Sequence, residues 1–164
     1  MTDAPHPRPR PLWPSPDAPP RPHHRGGHAT PTTEAAQRLA ALRHHGCQLA
    51  LLRRQKIVVV PYALDGPQND VHCALAAARG FAAARGWSTT GAVTDLVTGH
   101  PSEPALRPGW ARILQALREP HGPTGVVALN RKALCDDDAV YEATVHLLTR
   151  HGAGLWLVRD ETSA

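Results

Sequence analysis

Serine is scarce in this chain of 164 residues. Ser15, Ser88, Ser102 and Ser163 are the only four, so no serine hydroxyl lies between positions 15 and 88. Cys47, Cys73 and Cys135 never fall into CxxC spacing, which excludes a disulfide framework and a zinc knuckle. No apolar run approaches the roughly 20 residues that a membrane span requires. The proline-rich start has no apolar h-region and does not read as a signal peptide. A reducing, cytoplasmic setting is expected. Neither GxGxxG nor GxxxxGK[ST] occurs, so no nucleotide cofactor is expected. Histidines are plentiful, but His23-His24, His28, His44-His45, His146 and His151 lack paired Asp/Glu or Cys at ligand spacing, and no metal is expected. His72 and Cys73 adjoin on a helix and diverge, which disfavours a Cys-His hydrolase.

What the chain does have is an uneven charge. Residues 1–55 hold eight Arg against three Asp/Glu, giving +5, whereas residues 56–164 hold ten Lys/Arg against eleven Asp/Glu, giving −1. The basic character therefore belongs to the front third, where an arm can associate with nucleic acid or simply solubilise. Residues 1–31 contain ten of the seventeen prolines and are expected to be a disordered arm of polyproline character. The run Pro7–Pro11 reads as linker or as a ligand for a proline-binding module.

From 32 to 55 the pattern predicts a helix, with Thr33 as its cap and Glu34 in the first turn. Ala35, Leu39, Leu42, Gly46 and Leu49 form a narrow heptad-like seam, readable as a weak coiled coil or as a helix packed on its own domain. Ile57–Val60 predicts a short strand buried on both faces. Pro61 is expected to end it, leaving a Tyr62–Asp70 loop as the floor of any site. Asp70 then caps a helix with the apolar face Val71, Ala74, Leu75, Ala78, Phe81 and Ala82, stopped by Gly86. A weaker strand follows over Trp87–Asp95. Pro108 opens a helix with the stripe Trp110, Ile113, Leu114 and Leu117. Val126–Leu129 is the next strand. Asp136-Asp137-Asp138 caps a further helix ending near His151-Gly152, and Leu155–Val158 is the last strand. Alternating β and α elements with short links predict an α/β domain over 56–160 with a largely parallel sheet and helices on both faces. The runs at Ile57, Val126 and Leu155 are expected to be central, with Trp87–Asp95 beside the first.

The order of these pieces resembles the catalytic domain of serine recombinases, the resolvase/invertase family, over about Ile57–Arg159. The family's Tyr-Ala-Arg-x-Ser stretch is matched by Tyr62-Ala63-Leu64-Asp65-Gly66, and its helix ending in Gly-Trp by Ala82–Trp87. The segment Asp-x-x-x-Ser-Gly…Arg-Pro-Gly is similar to Asp95-Leu96-Val97-Thr98-Gly99 followed by Arg107-Pro108-Gly109. Leu-Asp-Arg-x-x-Arg corresponds to Leu129-Asn130-Arg131-Lys132-Ala133-Leu134. The resemblance implies DNA strand exchange through a phosphoserine, with arginines neutralising the reacting phosphate.

The sequence departs from the family where that chemistry resides. Gly66 stands at the serine position, Leu64 and Leu134 at two arginine positions, and Asn130 at the aspartate. Arg107 and Arg131 alone remain where family arginines would stand. No shift of register supplies a serine, and Tyr62 reads as structural. Asp160–Ala164 leaves no room for the dimerisation helix and DNA-binding domain that family members carry. The expected function is non-catalytic, through protein contacts, self-association or loose DNA association by the arm. The alternatives are a phosphoryl-transfer enzyme with a relocated nucleophile and a small-molecule-binding α/β module. Deleting Met1–Gln55 is expected to remove most DNA affinity, and changing Arg107 and Arg131 to Ala rather less.

Overall fold

The computed structural model describes residues 33–67, 69–96 and 103–161. The proline-rich arm, the Thr33 side chain and Val97–Gly99 of the family-like segment lie outside the described residues. Helix α1 (Thr33–Leu52) leads into β1 (Val58–Asp65) and α2 (Val71–Ala83). Two short strands follow, β2 (Ser88–Thr89) and β3 (Val93–Leu96), and then α3 (Pro108–Ala116), β4 (Gly125–Ala128), α4 (Asp138–Arg150) and β5 (Gly154–Leu157). Every strand pairing is parallel, in the order β2-β1-β4-β5, with β3 pairing β1 beyond β2.

Strands β1, β4 and β5 are buried on both faces, as their apolar runs require, while the short β2 and β3 are largely exposed. Val60, Tyr62, Val126, Ala128, Leu155 and Leu157 face α3 and α4 through Trp110, Ile113, Leu117, Tyr141, Val145 and Leu148. The alternate residues Val59, Val127 and Trp156 meet Ala78 and Ala82 of α2, and Ala63 meets Ala74 and Leu75. The helix starts are as expected from sequence. Asp70 accepts from Cys73 N at 2.9 Å, and Asp137 accepts from Val140 N at 2.9 Å. Gly86 and Gly152 adopt φ of +69° and +70° in the turns after α2 and α4, a conformation glycine reaches without strain.

Three expectations need correction. First, β1 does not end at Pro61 but runs through it to Asp65. Val59 accepts from Thr90 N on the β2 side, and alternate residues of a strand face the same neighbour. Pro61 therefore faces the break between Thr89 and Val93, where no ladder partner needs its missing N–H. Second, β5 is an edge strand rather than a central one. Its four residues are nevertheless buried, because α1 covers the edge and the Cys47 thiol donates to Leu155 O at 2.8 Å. Burial pushes that thiol up to about 11, so it is a packing residue and not a nucleophile.

Third, the buried stripe of α1 is not the heptad seam. It runs Ala36, Leu39, Ala40, Arg43, Gly46, Cys47 and Ala50, keeping Leu39 and Gly46 and replacing the rest. Leu39 joins the core on the α4 side, and Cys47 and Ala50 join it on the α2 side. Small residues let α1 approach closely: a Cβ at Gly46 would lie 2.5 Å from Thr149 Oγ1. The helix thus belongs to the packed unit, and removing residues through Gln55 would strip its core. Among the described residues no helix is long and apolar enough to cross a membrane.

Candidate functional site

In an open parallel sheet, ligands bind past the carboxyl ends of the strands, where the chain order reverses. Here the reversal falls between β1, which continues outward to β2, and β4, which continues to β5 on the other side. A crevice of about 230 Å³ lies there, lined by Ala63, Leu64, Asn69, Cys73, Asn130 and Arg159 among others. Of the positions that resemble the recombinase motif, Ala63, Leu64, Leu129, Asn130 and Ala133 line it, whereas Gly66, Leu134 and the two arginines do not.

Leu64 is 5% exposed at the end of β1. Beyond it the chain folds back at Pro67, with Asn69 N donating to Gly66 O at 2.9 Å. Gly66, at the serine position, presents only backbone. Asn130 caps the turn Arg131–Ala133 by accepting from Ala133 N at 3.2 Å, a role its amide fills as well as an aspartate would. Leu134 is fully buried in the core against α3 and α4. An arginine there would be a charge in an apolar cluster, so this position serves packing.

Neither Arg107 nor Arg131 lines the crevice. Arg107 is 3% exposed and points inward. Its Nη1 donates to Tyr62 Oη at 3.1 Å and to Ala133 O at 3.0 Å, while Nη2 donates to Leu134 O at 2.6 Å. Tyr62 donates to Asp95 Oδ2 at 3.1 Å, and Asp95 also accepts from Gly109 N at 2.6 Å and Trp110 N at 2.9 Å. The carboxylate therefore satisfies the first free N–H groups of α3. Gly109 is required there, since a Cβ would come within 2.7 Å of Asp95 Oδ1. The Tyr62–Asp95–Arg107 knot ties together β1, β3, α3 and the turn after β4. Burial pushes the Tyr62 hydroxyl up to about 12, the wrong direction for an activated nucleophile.

Arg131 is likewise engaged. It donates to Cys135 O at 3.2 Å and Asp136 O at 2.7 Å, pairs with Asp138 at 2.6 Å, and lies 4.9 Å over the Tyr141 ring. It anchors the start of α4. The two arginines standing at family positions thus hold carbonyls and carboxylates of their own chain. Among the described residues no buried side-chain nitrogen or oxygen lacks a partner, and no cluster of three or more His, Cys, Asp or Glu is placed to hold a metal ion. Of the four serines only Ser88 is described, and it pairs in register with Val58 at the opposite end of the sheet.

A second buried knot was not legible in the sequence. Arg43 donates to Glu161 Oε1 at 2.7 Å and to Asp160 Oδ1 at 2.7 Å, and Tyr141 donates to Glu161 Oε1 at 2.5 Å. Burial lowers the Arg43 guanidinium's affinity for its proton, but the hydrogen bond and charge of Glu161 outweigh this and raise it above its ordinary value. This knot fastens the segment after β5 to α1 and α4. The available signal was Arg43 falling on the same helical stripe as Leu39 and Gly46. Arg159 and Asn69, at the rim of the crevice, were also missed.

No protein-family model matches the sequence, and no curated protein does either. Among solved structures the chain is similar to the N-terminal catalytic domain of TP901-1 integrase, with a TM-score of 0.53 and 17% identity, over 66% of this chain and 84% of that one. At that identity the likeness speaks for the fold, which is resolvase-like.

Proposed function

We propose that this chain is a recombinase-fold domain that associates with other molecules and does not break DNA. One observation carries the reading: the guanidinium groups of Arg107 and Arg131 are turned into the protein, and Gly66 at the serine position offers no hydroxyl. A phosphoryl-transfer site needs a nucleophile and donors aimed at the charge that develops in the transition state. The donors here are committed to carbonyls whose pairing the fold requires. The function is therefore association, with the basic front segment contributing a weak, sequence-independent attraction to nucleic acid.

The test is a search for a protein–DNA adduct that survives denaturation, using nicked and supercoiled substrates. The wild-type chain is expected to form none, and Gly66→Ser is expected to form none either, because Leu64 and Leu134 leave the phosphate unclamped. An adduct with the unmodified protein would refute the reading. A small-molecule role has one observation in its favour, the 230 Å³ crevice with Arg159 at its rim. It predicts that a carboxylate or phosphate compound raises the unfolding temperature of the wild type and not of Arg159→Ala.

A further inference from the structure

The opposite end of the sheet is predominantly basic, whereas the family-like end sets its cations, Lys132 and Arg159 among them, beside many carboxylates. Four connections meet there: α1 to β1, α2 to β2, the loop from α3 to β4, and α4 to β5. They hold Arg53, Arg54, Lys56, Arg85 and Arg118 against a single carboxylate, Glu119. All of these cations but Arg54 are exposed. Backbone bonds stitch the four connections together: Ser88 N donates to Ile57 O at 3.1 Å, Thr124 N to Val58 O at 2.6 Å, and Gly154 N to Thr124 O at 3.0 Å. Side chains do the same. Arg54 donates to Pro120 O at 3.2 Å, and Arg53 lies so close to Gly152 that a Cβ there would be 2.5 Å from its Nη1. The Arg85 guanidinium rests 3.5 Å over the Phe81 ring, which holds it flat at the surface.

We infer that this basic face is a second, sequence-independent nucleic-acid surface, on the opposite end of the domain from the family-like crevice. Helix dipoles favour a cation after each helix, but they do not call for three in the α1–β1 connection or for near-exclusion of carboxylates. Arginine supplies four of the five cations, and its planar fork suits the paired oxygens of a phosphodiester. An anionic bilayer fits less well, since among the described residues the exposed large apolar side chains next to these connections are Leu51 and Leu52, at 38% and 84% exposure. The face is also separate from the basic arm in the chain. The arm precedes α1 in sequence, whereas Arg53 follows it. The inference rests on the association reading and supplies its second contact surface.

The experiment is an anisotropy titration of a short labelled duplex with full-length protein, at salt between about 50 and 200 mM. One variant combines Arg53→Glu, Lys56→Glu and Arg118→Glu. A second replaces Arg8, Arg10, Arg21 and Arg25 of the arm with Ala. The face variant is expected to bind at least about tenfold more weakly, with a salt slope shallower by roughly 0.9 for each phosphate it no longer neutralises. The arm variant should weaken binding separately. Unfolding temperatures report whether each chain is folded, and Lys56→Glu with Arg118→Glu alone gives the same reading should the triple change disturb α1. A folded face variant with wild-type affinity and slope would overturn the inference. Face-dependent capture on phosphatidylserine vesicles without duplex binding would overturn it too. An adduct in the cleavage assay would count against the non-catalytic reading and leave this titration's outcome unchanged, so the two failures are distinguishable.

Discussion

The two ends of the parallel sheet use arginine in opposite ways. At the carboxyl end, Arg107 and Arg131 are drawn inward and bonded to the chain's own carbonyls and carboxylates. Around them the connections are rich in acid, with Asp65, Asp70, Asp95, Glu103, Asp136–Asp138, Asp160 and Glu161. At the amino end the cations other than Arg54 are exposed, with one carboxylate, Glu119, in the connections that carry them. Summed along the chain, residues 56–164 come to only −1. Sorted by end of the sheet, these charges together with Arg53 and Arg54 form a strong polarity. Helix dipoles account for its direction, because acids suit helix starts and bases suit helix ends. The difference teaches that an arginine at a motif position identifies a residue type, and only its partners identify its work.

The comparison breaks if the inward arginines prove dispensable to the fold. The largest effect is expected at Arg43, 3% exposed and paired with a Glu161 side chain that is 1% exposed. Arg43→Ala leaves that carboxylate buried without its partner and should cost roughly 3–5 kcal/mol in urea unfolding, whereas Arg43→Met with Glu161→Gln should recover part of the loss. Arg107→Ala comes next. It strips donors from Tyr62 Oη and two carbonyls, and a loss of about 3 kcal/mol is expected. A loss below about 0.5 kcal/mol, the range of ordinary surface changes, would free Arg107 for a role in binding. Arg53→Ala and Arg118→Ala should stay within that surface range, which sharpens the contrast between the two ends.

Gly46→Val tests the approach of α1 from another side. The added carbons meet Thr149 Oγ1, and overpacking should cost about 1–3 kcal/mol. The smallest effect is a pH dependence. Hydrogen bonding with Glu161, followed by the Arg43 charge, holds Asp160 at about 2, below its ordinary 3.8. A carboxyl with a lowered value in the fold stabilises fully above its unfolded value and loses that contribution as pH falls toward the folded one. The wild type should therefore lose stability between about pH 4 and 2, and Asp160→Asn should show a flatter profile in that window. The side chain is 37% exposed, so solvent screening keeps the difference small.

Much of the fold was legible because each apolar run had one physical explanation. Val126–Leu129 and the stripe Trp110, Ile113, Leu114 and Leu117 read most simply as core, and Asp70 and the run Asp136–Asp138 read most simply as helix caps, of which Asp137 makes the capping bond. Pro61 misled because the break between β2 and β3 that accommodates it belongs to a different part of the chain. The last strand misled in a similar way: burial on both faces suggested a central place, but α1 supplies the cover that a neighbouring strand would have given. In α1 the heptad seam took leucines as the guide, and the true stripe is set by small residues and a buried arginine whose partner lies 118 positions away. The candidate site was legible as a set of positions and not as a set of directions. Nothing in the pattern of Arg107-Pro108-Gly109 says whether its guanidinium faces a ligand or Tyr62.

Both ends can be read in one measurement, a nitrogen-15 spectrum of the arginine guanidinium groups followed as duplex DNA is added to the full-length protein. Arg107 and Arg131 should give slowly exchanging signals that hold their positions throughout, while Arg53 and Arg118 shift and do so less at higher salt. Movement of Arg107 or Arg131 with Arg53 and Arg118 unchanged would contradict the account at its centre.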